Sequence, residues 1–181
     1  MARTLAERMI GAAMLDVSVY EEVEADEGAT GQAAMVVAIV AIAGAIGASG
    51  SGGSGMTGAV ISAFMGWFIW SGLTWFIGTR FFGGTATYGE LLRTLGFAMA
   101  PGVLNILGFI PLLGGLIKLV VVIWSLVAGI IAIRQALDFD TGKAIATAVI
   151  GYAITAAVVI TFVMMVVGVA LLGAGLAGAA G

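Results

Sequence analysis

The sequence predicts an all-α polytopic membrane protein, and three observations carry that expectation. Of 181 residues, 61% are hydrophobic and only 9% charged, with a mean hydropathy of +1.18. An ordinary soluble domain carries about 25% charged residues, and no soluble interior of this size hides so much apolar side chain. The apolar residues come in runs of about 20, the length an α-helix needs to cross a bilayer. All charges except Lys118 fall between those runs, in their end turns or in the N-terminal segment. The chain therefore divides into an arm over residues 1–28, a transmembrane domain over 29–172 and a Gly/Ala-rich tail over 173–181.

Within the arm, Leu5, Ala6, Met9, Ile10, Ala13, Met14 and Val17 recur at helical spacing, with Arg3, Glu7 and Arg8 on the other side. That pattern predicts an amphipathic helix lying in the membrane interface. Ser18 and Glu21 have the spacing of a capping box and open a second short helical stretch. Residues 1–27 hold two arginines against seven acids, a net charge of −5, while the remaining residues carry +2. Charge runs are commonly solvated, so an exposed acidic face is preferred to a docking surface for a basic partner.

Five spans are expected. The first covers 29–49, dense in Val, Ile and Ala, and ends in the Gly/Ser run 49–55, a flexible loop by composition. The second covers 56–79 and stops at Arg80. The third covers 88–108 and is announced by Thr87 and Glu90 at capping-box spacing. Pro101, followed by Gly102, kinks it. The fourth covers 111–134, with Pro111 tolerated in its first turn. The fifth covers 143–172, with Asp140 or Thr141 as N-cap.

An odd number of spans puts the termini on opposite sides. With the N-terminus in the cytoplasm, the inner segments contain or border six of the seven Lys and Arg residues, and the outer segments contain none. The positive-inside rule therefore predicts N-terminus inside and C-terminus outside. A signal peptide is not expected, because charge interrupts the first apolar stretch and no convincing cleavage site is present.

The chain has neither cysteine nor histidine. Disulfides, thiol catalysis, Cys/His zinc sites and histidine acid–base chemistry are thereby excluded. No basic stripe offers a footprint for nucleic acid. The run from Asp138 to Gly142 begins like a calcium loop, but Val149 stands where the bidentate acid is required. Thr141-Gly142-Lys143 resembles the end of a phosphate loop, yet Ala144 replaces the hydroxyl and Leu137 the first glycine. No two aspartates lie within spans, which leaves intramembrane proteolysis without its pair. The expectation is a protein without catalytic residues, metal ligands or cofactor.

Lys118 is the one ionisable residue inside a span, and such residues are functional candidates. At 1.5 Å rise per residue, Asn105 and Lys118 both lie about 10 Å below the Pro111 turn on neighbouring helices. They are either an intramembrane polar pair or, the preferred reading, a lysine that snorkels outward beside an asparagine bonded to backbone. Small-residue ladders run through Ala128, Ala132 and Ala136, through Thr147, Gly151 and Thr155, and through Ala43 and Gly47. They predict close helix packing, with a partner-binding face as the alternative. Trp67 and Phe68 near mid-helix are expected to touch lipid or a neighbouring helix, or else a flat hydrophobic ligand.

The run from Thr87 to Leu104 (TYGELLRTLGFAMAPGVL), the turn from Phe109 to Gly114 (FIPLLG) and the run from Val122 to Val127 (VIWSLV) resemble the YIP domain family, the Ypt/Rab-interacting membrane proteins. The loop 136–143 joins them, and the segments YEEVEAD at Tyr20 and ATGQA at Ala29 are similar to its prokaryotic branch. Its marks here are Pro101 in the third span and Trp124 in the fourth. The resemblance implies five spans, a cytoplasmic N-terminus and the cytoplasmic membrane of a prokaryote. Eukaryotic relatives bind small GTPases through a long cytosolic arm; this arm is short, so GTPase binding is not carried over. The expected function is a non-enzymatic scaffold or accessory subunit, whose partners are lipids and other membrane proteins or itself. The alternative is a permease-like transporter or binder of a small or lipophilic solute.

Overall fold

The computed structural model describes residues 3–49, 55–155, 157, 158 and 161, and every regular element among them is helical. Two short helices form the arm: α1 (Leu5–Ala13) and α2 (Val17–Ala25). Then come α3 (Ala29–Gly47), α4 (Met56–Phe82) and α5 (Tyr88–Ala98), which passes into a 3-10 segment η1 (Ala100–Phe109). Helix α6 (Leu113–Ala136) comes next, and α7 covers residues 141–155. Four stretches are long and apolar enough to span a membrane: α3, α4, α5 with η1, and α6. The greater part of the expected fifth span, the tail and the Gly/Ser loop 50–54 lie outside the described residues.

Local chemistry explains the helix ends. Thr87 and Glu90 form the expected capping box of α5. Asp140 accepts the Lys143 N–H at 3.0 Å and so caps α7. Thr4 and Glu7 form a second capping box, on α1, which has the same spacing and was equally legible in the sequence. The Ser18 expectation is corrected: the cap of α2 is Asp16, whose carboxylate accepts the Ser18 N–H at 3.0 Å. Helix α4 runs on past Arg80 to a left-handed Gly83, because a flanking arginine is compatible with helix. Helix α6 starts two residues after Pro111, since Leu112 is left-handed and breaks the turn.

The centre of the bundle is α5, where every residue from Leu91 to Ala98 is buried. Gly96 admits the Ala33 methyl of α3 and the Trp67 ring of α4 at close range. Helix α6 turns a stripe of mostly small residues inward (Gly114, Val121, Ala128, Ala132 and Ala136, with Ile133 beside them) and leaves most of its other large aliphatic residues outside. Small residues at the contact and large ones toward lipid is the order expected where van der Waals packing, not water exclusion, joins helices.

Pro101 does more than kink the third span. It lacks the N–H that would continue the α-helix, and the chain changes to i→i−3 bonding for ten residues. Such runs rarely exceed three or four residues unaided. Two glycines support this one from outside. Gly47 of α3 lies against the Asn105 carbonyl, and Gly114 of α6 against that of Gly108.

Candidate functional site

Two places concentrate polar chemistry: the seam between arm and bundle, and a cavity inside the bundle. At the seam, the sequence expectation for Arg8 is overturned. It does not sit on an outer polar face; it is 2% exposed. Its guanidinium donates to Glu22 at 2.8 and 3.0 Å, to Asp26 at 2.7 Å and to Gln32 at 2.9 Å. Burying a guanidinium is costly unless its donors are met, and these charge-assisted hydrogen bonds offset the loss of water. Burial lowers the Arg8 pKa, but its hydrogen bonds to Glu22 and Asp26 outweigh that and hold it above its usual value. The Arg8 hydrogen bond holds Asp26 below the usual carboxylate range. Burial raises Glu22, yet hydrogen bonds from Arg8 and Arg3 leave it lowered.

The bundle also caps the arm helices. The last carbonyls of any helix have no partner within it. Trp124 of α6 donates its indole N–H to the Ala13 carbonyl at 2.7 Å, while within the arm Tyr20 of α2 donates to the Ala12 carbonyl of α1 at 2.9 Å. Arg93, itself buried, donates to the Val23 carbonyl at 2.9 Å and to that of Glu24, placing a cation at the negative end of α2. Gln135 donates to Glu21 at 3.0 Å. The arm is thus bonded to the bundle, not lying loose beside it. Of its apolar stripe, Leu5, Met9 and Ala13 pack on the core, while Ile10, Met14 and Val17 face outward. Glu24 sits half-buried: burial first, then the charges of Glu90 and Asp138, push its carboxyl to about 7, with Arg93 pulling the other way.

The cavity has a volume of about 520 Å³. Val40 of α3, Trp67 and Trp70 of α4, Leu95 of α5, Asn105 of η1, Ser125 of α6 and Tyr152 of α7 all contribute to its wall. It sits halfway along the long helices and carries no carboxylate or amine on its lining. Trp67 and Phe68 diverge as helix geometry requires of neighbours. Trp67 is 4% exposed, lines the cavity and donates to the Leu92 carbonyl at 2.9 Å, whereas Phe68 is 46% exposed. The rings of Trp70 and Tyr152 pack with centroids 4.2 Å apart, and Trp70 also covers Gly151.

The remaining sequence candidates separate. Pro101 is buried at the helix break, and Ala128, Ala132 and Ala136 are buried within the chain. Thr147 is buried, and Thr155 donates to the Gly151 carbonyl at 2.9 Å. Asn105 reaches the cavity, but Lys118 is exposed, off the lining, with its stem against Gly108. No hydrogen bond joins the two among the described residues. A 3-10 segment rises about 2.0 Å per residue and turns about 120°, so it carries Asn105 to another depth and face than an α-helix would. Ser71, Thr74 and Thr147 hold buried hydroxyls without partners among the described residues. Ser125, Tyr152, Arg93 and the carbonyl contact of Trp124 escaped sequence reasoning, since each depends on residues far away in the chain.

Among the described residues no three acidic side chains converge as a metal site. No curated protein and no solved structure matches the chain. A family model described as the Yip1 domain matches residues 17–163, from the start of α2 through all the described spans. With that match and its bundle of long apolar helices, the chain is an integral membrane protein of the Yip1 domain family.

Proposed function

We propose that this protein is a non-catalytic scaffold or accessory subunit of a prokaryotic cytoplasmic membrane, with its arm in the cytoplasm, packing against other membrane proteins or further copies of itself. The observation that carries the reading is how its charged groups are used. Arg3, Arg8 and Arg93 are engaged in holding the arm, and none faces a carboxylate in an open cleft. The Ala128 to Ala136 ladder is occupied within the chain, which leaves Gly31 and Gly44, where an added methyl meets nothing, as places for another helix to approach. Extraction in a mild detergent with native mass measurement tests it. A stoichiometric partner or a homo-oligomer supports the reading; a lone monomer with nothing copurifying overturns it.

A second reading, binding or passage of a small or lipophilic solute, draws on one specific observation. The cavity lies beside the Pro101 break and holds Asn105 on its wall. GTPase binding gains no support from an arm whose helix ends are taken up by the bundle.

A further inference from the structure

The cavity can be assigned a ligand class, an inference that rests on the solute-binding reading of the protein. The wall segments 63–70 of α4 and 121–129 of α6 occupy the middle of helices spanning Met56–Phe82 and Leu113–Ala136. The cavity is therefore set midway along the long apolar helices, at the hydrocarbon level, where the arm helix α1 also reaches in to bond Trp124 through its Ala13 carbonyl. Its mouth is marked by Val122 and Tyr152, which line it and are 65% and 49% exposed. Access is sideways, from lipid.

The lining is apolar apart from Asn105, Ser125, Tyr152, Trp67 and Trp70. Of these side chains only Trp67 makes a hydrogen bond among the described residues, to the Leu92 carbonyl, so the Asn105 amide and Ser125 hydroxyl are left to act, with the Tyr152 phenol and Trp70 indole beside them. At membrane depth an unsatisfied polar group has no water to turn to. An amide and a hydroxyl each donate and accept, so they suit a hydroxyl or carbonyl oxygen. A charged head would be buried there with no opposite charge on the wall, at high cost. The volume of 520 Å³ holds on the order of fifteen methylenes, taking about 30 Å³ for each as for a liquid water molecule. That is one long chain, and too little for a two-chain phospholipid.

We propose that the cavity binds an uncharged, single-chain lipid, entering from the bilayer, whose hydroxyl or carbonyl head bonds to Asn105 and Ser125 while its chain lies between α4 and α6 against Trp67 and Trp70. Two glycines on the wall make the site testable. A Cβ added at Gly66 or Gly129 meets no neighbouring atom, so Gly66→Leu and Gly129→Leu start from unhindered positions and add volume at the cavity wall. Gly115→Leu, equally unhindered but off the wall, is the control.

The experiment uses the full chain in phosphatidylcholine nanodiscs with a photoreactive hexadecanol, the labelled peptides being mapped by mass spectrometry. The expected result is labelling within 63–70 and 121–129, reduced about tenfold by either wall variant and unchanged by Gly115→Leu. Hexadecanol should compete about tenfold better than hexadecane or palmitate. This arm runs on the unaltered protein and stands whatever the variants do. Equal competition by hexadecane or palmitate overturns recognition of a neutral head and leaves the cavity a general lipophilic site. Full labelling in folded Gly66→Leu and Gly129→Leu proteins overturns the ligand class and the cavity reading together.

Discussion

At the scale of single residues, the arm is held by groups whose partners lie far along the chain. Trp124→Phe keeps an aromatic ring but deletes the donor to Ala13, leaving a helix-end carbonyl without its partner. It should loosen the arm by about 1–3 kcal/mol, seen as faster amide exchange in α1 with the spans unaffected. Glu24 gives the arm a pH dependence of a particular sign. Its carboxyl stands at about 7 when docked, against 4.5 ordinarily, through burial and the nearby Glu90 and Asp138 charges. The protonated acid is the better-docked form. Its contribution is complete below pH 4.5 and is lost as pH rises through about 7. Proteolysis of the arm should therefore accelerate across that window in the native protein, while Glu24→Gln should show no such rise. The Asn105 and Lys118 side chains, which make no bond to each other, should act independently. In a double-mutant cycle of Asn105→Leu and Lys118→Met, stability effects should add to within about 0.5 kcal/mol. A larger coupling would restore the intramembrane pair.

At the scale of elements, the 3-10 segment shows how a local rule and a tertiary contact divide the work. The proline announces that the α-helix ends, and the sequence was legible to that extent. The conformation beyond the proline is set by whatever packs against it, here the backbones at Gly47 and Gly114. Gly47→Ala and Gly114→Ala force a methyl into a neighbouring carbonyl and should each destabilise the bundle by about 1–3 kcal/mol or more. Gly44→Ala and Gly115→Ala sit one turn or one residue away in open space. They should be neutral or stabilise by up to about 1 kcal/mol, the helix-propensity difference. Thermal unfolding in one detergent compares all four. Equal effects would mean the close approaches are not what supports η1.

At the scale of the whole molecule, the positive-inside count makes a topology prediction that introduced cysteines can test, because the chain has none of its own. A single cysteine at Thr85, in the loop after α4, or at Thr141, at the start of α7, should react with an impermeant thiol reagent only after permeabilisation. One at Ser51, in the loop after α3, should react in intact cells. External labelling at Thr85 would invert the orientation. The hydrogen bond from Thr85 to Asp138 at 2.9 Å joins the loop after α4 to the loop after α6, so the two share a side whichever way the chain inserts.

Hydropathy, capping residues and charge placement are local quantities. They sufficed for the all-helical class, the first four spans to within a few residues, the Thr87 cap and the break at Pro101. They also carried the family resemblance, since the runs that mark it are contiguous. Which face of a helix meets which neighbour is not local, because an apolar side chain suits lipid and protein interior equally well. Within a bilayer the hydrophobic pattern that sorts inside from outside in a soluble protein loses its meaning. Hence Trp67 inside and Phe68 outside, the buried Arg8, the separation of Asn105 from Lys118 and the cavity itself came only with the tertiary structure. There, close packing and unpaired hydrogen-bonding groups decide what composition leaves open.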